Sequence, residues 1–244
     1  MSDYRKYDKG FINYAHRGAS EYLPENTLLS FYTGVYMKAN GIETDVQKTK
    51  DGILVLFHDD TLTRVTGAEG SVADYTYEEL SALLVKGHGL TDKIPTLKDF
   101  LSHFAHRDIT FAIELKMDDC EAEVADLIYE YGVERKCVVT SFDIERIRNI
   151  KAYAPALRVG YLAQQFSEEA IEELLEMHAD EICPMGKNLS AEDVQRYHRL
   201  GFNVRAWGIS DEQIMRAVYD MGADGMTVNF PDKLTAYIKE RTQA

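Results

Sequence analysis

The stretch Gly41-Ile42-Glu43-Thr44-Asp45-Val46-Gln47-Lys48 sets the frame for the rest of the chain. Successive side chains of a strand point to opposite faces, so Glu43 and Asp45 share one face while Ile42, Thr44 and Val46 share the other. It is one of eight strand-like runs, the others covering residues 11–15, 109–116, 137–141, 157–162, 181–184, 202–207 and 224–229. Stretches of helical periodicity follow them at 25–39, 97–106, 121–131, 144–153, 167–178, 191–200, 211–221 and 231–240. Ser167, Ser190 and Asp211 are start signals for helices, and Gly41, Gly132, Gly201 and Gly222 are stop signals. Strands alternating with helices predict an α/β fold with parallel strands and right-handed crossovers. Eight such units in about 250 residues match a (β/α)8 TIM barrel. A doubly wound open sheet has fewer units and a Gly-rich first turn, which is absent here.

The rhythm breaks once, after the second strand. Residues 50–95 open with Thr49-Lys50-Asp51-Gly52, an Asp-Gly hairpin signal ahead of the apolar run 53–57. A polar loop, a short helix near 77–84 and a Gly- and Lys-containing linker are expected next. This segment is too short for an independent domain and reads as a lid-like insertion within one domain spanning residues 1–244.

Of 244 residues, 27 are Lys or Arg and 41 are Asp or Glu, a formal net charge of −14. That balance argues against a broad nucleic-acid surface, which needs excess basic residues. The start, Met1 to Gly10, carries charge without an apolar run behind it, and no stretch approaches the ~20 apolar residues that span a bilayer. Neither a secretory signal nor membrane insertion is expected. Cys120, Cys137 and Cys183 lack paired spacing, so they read as buried thiols in a reducing, cytoplasmic compartment.

Two carboxylates pointing into a barrel repel each other. At ~6 Å and an effective dielectric of ~20 the cost is about 3 kcal/mol before desolvation. In Phe111-Ala112-Ile113-Glu114-Leu115-Lys116, Glu114 and Lys116 share the corresponding face. Glu43, Asp45 and Glu114 then meet at the C-terminal rim, where barrel active sites lie. Three hard oxygen donors suit one divalent cation, Mg2+ or Ca2+. The plainer alternatives are carboxylates on a solvated edge strand and a simple Glu114–Lys116 salt bridge. With Asp51-Gly52 as a two-residue turn, position 45 comes opposite 58, which puts His58 within ~5 Å of Asp45. The first strand runs into His16-Arg17-Gly18, so His16 and Arg17 emerge at the same rim. Histidines suit acid–base work near neutrality, and Arg17 and Lys116 suit a phosphate-bearing substrate. His88, His103, His106, His178 and His198 lie on loops or helices without such surroundings.

These residues resemble the glycerophosphodiester phosphodiesterase family. The similarity rests on His16-Arg17-Gly18, Pro24-Glu25-Asn26-Thr27, Glu43-Thr44-Asp45-Val46, Thr49-Lys50-Asp51-Gly52, His58-Asp59 with Thr61-Leu62 and Arg64, Ile94-Pro95-Thr96-Leu97 and Glu114-Leu115-Lys116. Trp207 and Gly222-Ala223-Asp224-Gly225 ahead of Asn229-Phe230-Pro231 match more loosely. The resemblance implies a TIM barrel that hydrolyses glycerophosphodiesters to glycerol 3-phosphate and an alcohol, with Mg2+ or Ca2+ bound. It implies His16 and His58 as the acid–base pair, Glu43, Asp45 and Glu114 as metal ligands, Arg17 and Lys116 on the phosphate, and Trp207 against the glycerol. Asn229 departs from an acidic residue common there, and Gly208-Ile209-Ser210-Asp211 departs after Trp207; neither is expected to touch the catalytic set. The related alternative is a phospholipase D-like hydrolase of lysophospholipids. A non-catalytic barrel binding a phosphorylated ligand and a metal-dependent enolising barrel are more distant ones. A small-molecule substrate is the expected partner, and self-association is left open.

Overall fold

The computed structural model of the chain describes residues 10–243, so residues 1–9 of the N-terminal reading lie outside it. The alternation at 41–48 is realised as strand β2 (Gly41–Lys48), preceded by β1 (Ile12–His16) and helix α1 (Leu28–Tyr36). After the insertion come α4 (Leu97–Phe104), β6 (Thr110–Leu115), α5 (Glu121–Glu130), β7 (Cys137–Ser141), α6 (Ile144–Tyr153) and β8 (Arg158–Ala163). The chain continues through α7 (Glu168–Glu176), β9 (Glu181–Pro184), α8 (Ala191–Leu200), β10 (Asn203–Ile209), α9 (Glu212–Asp220), β11 (Gly225–Val228) and α10 (Pro231–Gln243). Among the described residues, eight parallel strands pair in the order β1-β11-β10-β9-β8-β7-β6-β2, and β1 also pairs with β2, which closes the ring. This is a TIM barrel. None of the described helices is long and apolar enough to cross a membrane.

Polar N-caps start the helices as the sequence signals: Ser167, Ser190 and Asp211 accept from the backbone amides of Ala170, Asp193 and Ile214. Gly132, Gly201 and Gly222 follow helices at positive φ, but Gly41 does not act as a stop; α1 ends at Tyr36, Lys38 takes φ +70° and Gly41 opens β2. Between strands and helices, Ile42, Val46, Phe111 and Val139 pack with Phe31, Phe100, Phe104, Val124 and Ile147. A second cluster joins Ile182, Val204 and Met226 to Leu174, Val194, Met215 and Leu234. The partitioning follows from alternation: odd positions of β2 face the barrel interior and even positions face the helices.

The insertion departs from expectation in three places. Its first hairpin, β2 with β3 (Leu54–Leu56), pairs Val46 with Leu56 and Lys48 with Leu54. Three residues, not two, make the turn, so Phe57 and not His58 lies opposite Asp45; the Phe57 amide donates to the Asp45 carbonyl at 3.0 Å. Asp51 is drawn away from the expected turn, because its Oδ1 accepts from Thr49 Oγ1 (2.6 Å) and from the amide of Tyr77 (2.9 Å). Beyond α2 (Thr63–Thr66), the expected helix is shorter, α3 (Tyr77–Ser81), and the expected linker is a hairpin, β4 (Leu84–Gly87) with β5 (Leu90–Lys93). His88 (φ +53°) and Gly89 (φ +77°) form its two-residue turn, the backbone of a type I′ connection. Val55, Phe57, Leu62, Val65, Val72, Leu80, Val85 and Ile94 form a separate small core there.

Inside the barrel the chain buries an ion pair that the sequence reading did not single out. Arg205 is 1% exposed and Glu181 0%, with Arg205 Nε donating to Glu181 Oε2 at 2.9 Å. Gly160 leaves the space, since a Cβ there would lie 3.0 Å from the Glu181 Cβ. A buried charge that loses its partner is far costlier than an apolar replacement of both. Glu181→Leu is therefore expected to lower unfolding free energy by about 3–5 kcal/mol in denaturant titrations. Adding Arg205→Met should recover most of that loss, and additive losses would contradict the pairing.

Candidate active site

The rim is built where β1 ends. Arg17 (φ +54°) and Gly18 (φ +84°) turn the chain sharply, and the Gly18 amide donates to the Ala15 carbonyl at 3.1 Å. Any Cβ at Gly18 would stand 2.4 Å from the backbone carbon of Ser30, so only glycine lets this turn rest against α1. The turn leaves His16 at the mouth and brings Arg17 Nε to 3.2 Å from Asp45 Oδ2. Asn26, also at positive φ, locks the other side: its Nδ2 donates to Asp45 Oδ2 (2.8 Å) and its Oδ1 accepts from Thr44 Oγ1 (2.8 Å).

Glu43 and Asp45 point inward beside Glu114, which the β2–β6 register sets level with Asp45. One oxygen from each of these three buried carboxylates lies within 4.8 Å of the others. Lys116 Nζ donates to Glu114 Oε1 at 2.9 Å and sits 4.0 Å from Asp45 Oδ1. The salt bridge and the carboxylate cluster thus coexist. Asp45 Oδ1 is buried without a hydrogen-bond partner among the described residues. An orphaned carboxylate oxygen facing two more hard donors fits a divalent cation such as Mg2+ or Ca2+.

Electrostatics reflect that crowding. Burial, then the neighbouring Asp45 and Glu114, pushes the Glu43 carboxyl well above its usual range. Burial and Asp45 likewise push Glu114 up to about 7. Burial would raise Asp45 as well, but Arg17, His58, Lys116 and the Asn26 amide outweigh it and hold Asp45 low. Burial, reinforced by Arg17, lowers His16 to about 4, which leaves a neutral imidazole.

The two imidazoles have different partners. His16 Nδ1–H donates to Asn229 Oδ1 at 2.6 Å, leaving Nε2 as the lone-pair nitrogen, 3.8 Å from Glu43 Oε2. Asn229 therefore does touch the candidate catalytic set, contrary to the sequence expectation; the two residues meet because β11 neighbours β1 in the closed ring. His58 Nδ1–H donates to Asp59 Oδ1 at 2.7 Å. Although the hairpin register is one residue off, His58 still reaches the rim, beside Lys116. A cavity of about 450 Å³ opens there, lined by His58, Asp59, Asp60, Thr61 and Lys116.

Trp207 stands three strands round from β2. Its Nε1 donates to the Ala163 carbonyl (3.2 Å), and Phe142 packs edge-on against it at 4.8 Å. Thus His16, Arg17, Glu43, Asp45, His58, Glu114 and Lys116 are brought together at the rim, while the contacts described for Trp207 are with Ala163 and Phe142. Asn26, Asp59 and Asn229 were not assigned roles from sequence, although each occurs in a stretch quoted above.

The family model described as the Glycerophosphoryl diester phosphodiesterase family matches residues 16–233. A glycerophosphodiester phosphodiesterase of Caldanaerobacter subterraneus subsp. tengcongensis is 32% identical over 93% of this chain and 97% of its own length. The crystal structure of a glycerophosphodiester phosphodiesterase from Agrobacterium tumefaciens superposes with a TM-score of 0.80 at 26% identity, covering 93% of this chain and 99% of that one. A phosphodiesterase from Oleispira antarctica, in complex with the product sn-glycerol-3-phosphate, gives 0.82 at 26% identity over 93% and 96%. With most of its length matched, the chain belongs to the glycerophosphoryl diester phosphodiesterase family.

Proposed function

We propose that this chain hydrolyses small glycerophosphodiesters to glycerol 3-phosphate and an alcohol, using a divalent cation and the His16/His58 pair. The observation that carries the reading is the convergence of Glu43, Asp45 and Glu114 within 4.8 Å, flanked by two imidazoles and two cationic side chains on one barrel rim. Family membership and the product held by the Oleispira antarctica neighbour favour this substrate class over the lysophospholipid alternative.

Each side chain has a distinct task. Arg17 and Lys116 supply positive charge for the phosphoryl oxygens. His16, held neutral by burial and oriented by Asn229, takes a proton at Nε2 from the attacking nucleophile, either water directly or the substrate's own glycerol hydroxyl, whose cyclic phosphate water then opens to glycerol 3-phosphate. The new P–O bond forms as the bond to the alcohol oxygen breaks, and His58, oriented by Asp59, delivers a proton to that oxygen. Glu43, Asp45 and Glu114 would hold Mg2+ or Ca2+, which supplies charge neutralisation at the phosphate. Trp207, backed by Phe142, walls the organic part of the substrate. The barrel and its insertion act as one catalytic unit, in the cytoplasm, where Cys120, Cys137 and Cys183 stay as free thiols.

With glycerophosphocholine as substrate, release of glycerol 3-phosphate is expected to stop in EDTA and to return with Mg2+ or Ca2+. Full turnover in chelator would refute the metal's part. His16→Ala and His58→Ala should each lower kcat by about 10²–10⁴-fold in the same assay; a near-normal His58→Ala variant would remove it from the mechanism.

Metal binding should also show in stability. In the metal-free protein Glu43 and Glu114 hold protons that the unfolded carboxyls release near 4.5. Their contribution to stability is complete below that value and disappears as pH rises through the folded pKa, about 7 for Glu114. A cation takes the place of those protons. The gain in Tm on adding Mg2+ or Ca2+ should therefore be larger at pH 8 than at pH 5, and Glu43→Gln should diminish it. An equal gain at both pH values would contradict this assignment.

A further inference from the structure

The insertion places one arginine at the rim that the proposed mechanism leaves without a task. Arg64 donates to four carboxylate oxygens at once: Nε and Nη2 reach Asp59 at 2.6 and 2.8 Å, and Nη1 and Nη2 reach Glu25 at 2.8 and 2.7 Å. Glu25 is held from the barrel side by Arg17 Nη1 at 3.0 Å, and Asp59 Oδ1 accepts from His58 at 2.7 Å. The contacts run unbroken from Asp45 through Arg17, Glu25, Arg64 and Asp59 to His58. Glu25, His58 and Asp59 offer ligand atoms within 4.8 Å of one another, but the guanidinium already serves both carboxylates.

The backbone of Arg64 is fixed while its side chain is not part of any core. Leu62 and Val65 on either side are buried in the small insertion core, whereas the Arg64 side chain is 51% exposed. A planar guanidinium serves two carboxylates along two edges; a lysine ammonium is a point charge and cannot. Without it, Glu25 and Asp59 would repel across a short gap, and Asp59 would be free to leave the His58 ring.

Resting on the proposed function, we infer that Arg64 is a positioning residue: by clamping Asp59 to Glu25 it holds the His58 imidazole in its working tautomer and orientation. The insertion on this view buttresses the acid–base pair, and its contribution to rate passes through His58.

Kinetics on glycerophosphocholine at saturating Mg2+ or Ca2+ test this with wild type, Arg64→Ala, Arg64→Lys, His58→Ala and the His58→Ala/Arg64→Ala double variant. Arg216→Ala, which removes a similarly exposed arginine paired with Glu212 at 3.8 Å, reports the structural cost of such a change. Arg64→Ala and Arg64→Lys should each lose about 10–100-fold in kcat, as losses of outer-shell partners do. Their Tm shifts should be no larger than that of Arg216→Ala. Because the effect passes through His58, the double variant should stay within about twofold of His58→Ala. Wild-type kcat in Arg64→Ala or Arg64→Lys overturns the inference. So does a double variant that falls below His58→Ala by the full Arg64→Ala factor. A wild type that releases no glycerol 3-phosphate overturns the parent reading and this one with it. An active wild type, an impaired His58→Ala and an unimpaired Arg64→Ala overturn only this one.

Discussion

Mutual repulsion among Glu43, Asp45 and Glu114 is the constraint around which the rim is organised. Three carboxylates buried on adjacent strands cannot all stay ionised unless positive charge stands close by. The protein supplies part of it through Arg17 and Lys116 against Asp45 and Glu114, with Arg205 acting on Glu43 from within the barrel. The remainder shows as Glu43 and Glu114 carboxyls pushed above the usual carboxylate range and an Asp45 oxygen without a hydrogen-bond partner among the described residues. Such an arrangement of hard oxygen donors fits a divalent cation, on which the proposed phosphodiester hydrolysis rests.

The same constraint explains why the surrounding loops are so particular. Holding Arg17 against Asp45 requires the left-handed turn at Arg17-Gly18, and that turn requires a glycine pressed on α1. Asn26 takes its own left-handed conformation to bring an amide to the same carboxylate. The two histidines differ in the partners that orient them, a neutral amide for His16 and a carboxylate for His58. In the proposed mechanism this asymmetry makes His16 the acceptor and His58 the donor of protons.

Much of this was legible in the sequence because it rests on local periodicity. Alternation in 41–48 and 109–116 is enough to aim Glu43, Asp45 and Glu114 at one interior, and the eight strand–helix units are enough to close it. What escaped depends on contacts distant in sequence or on competition for a side chain. The Asp51-Gly52 turn lost its two-residue form because Thr49 and Tyr77 claim the Asp51 carboxylate. The β4–β5 hairpin is short, is exposed or half-buried apart from Val85, and turns on His-Gly, so neither sustained apolar alternation nor an Asn-Gly signal marks it. The contact of Asn229 with His16 spans 213 residues and follows only from ring closure. The Arg205–Glu181 pair lies on two neighbouring strands, and their facing is visible only once the barrel register is known.

The central claim is that these three carboxylates are the seat of one divalent ion. Its most direct test is anomalous diffraction from crystals soaked in Mn2+, a stand-in for Mg2+ or Ca2+. The structure predicts a single strong peak within about 2.0–2.6 Å of oxygens from Glu43, Asp45 and Glu114. A peak elsewhere on the rim, or none among these residues in an enzyme that still turns over, would contradict it.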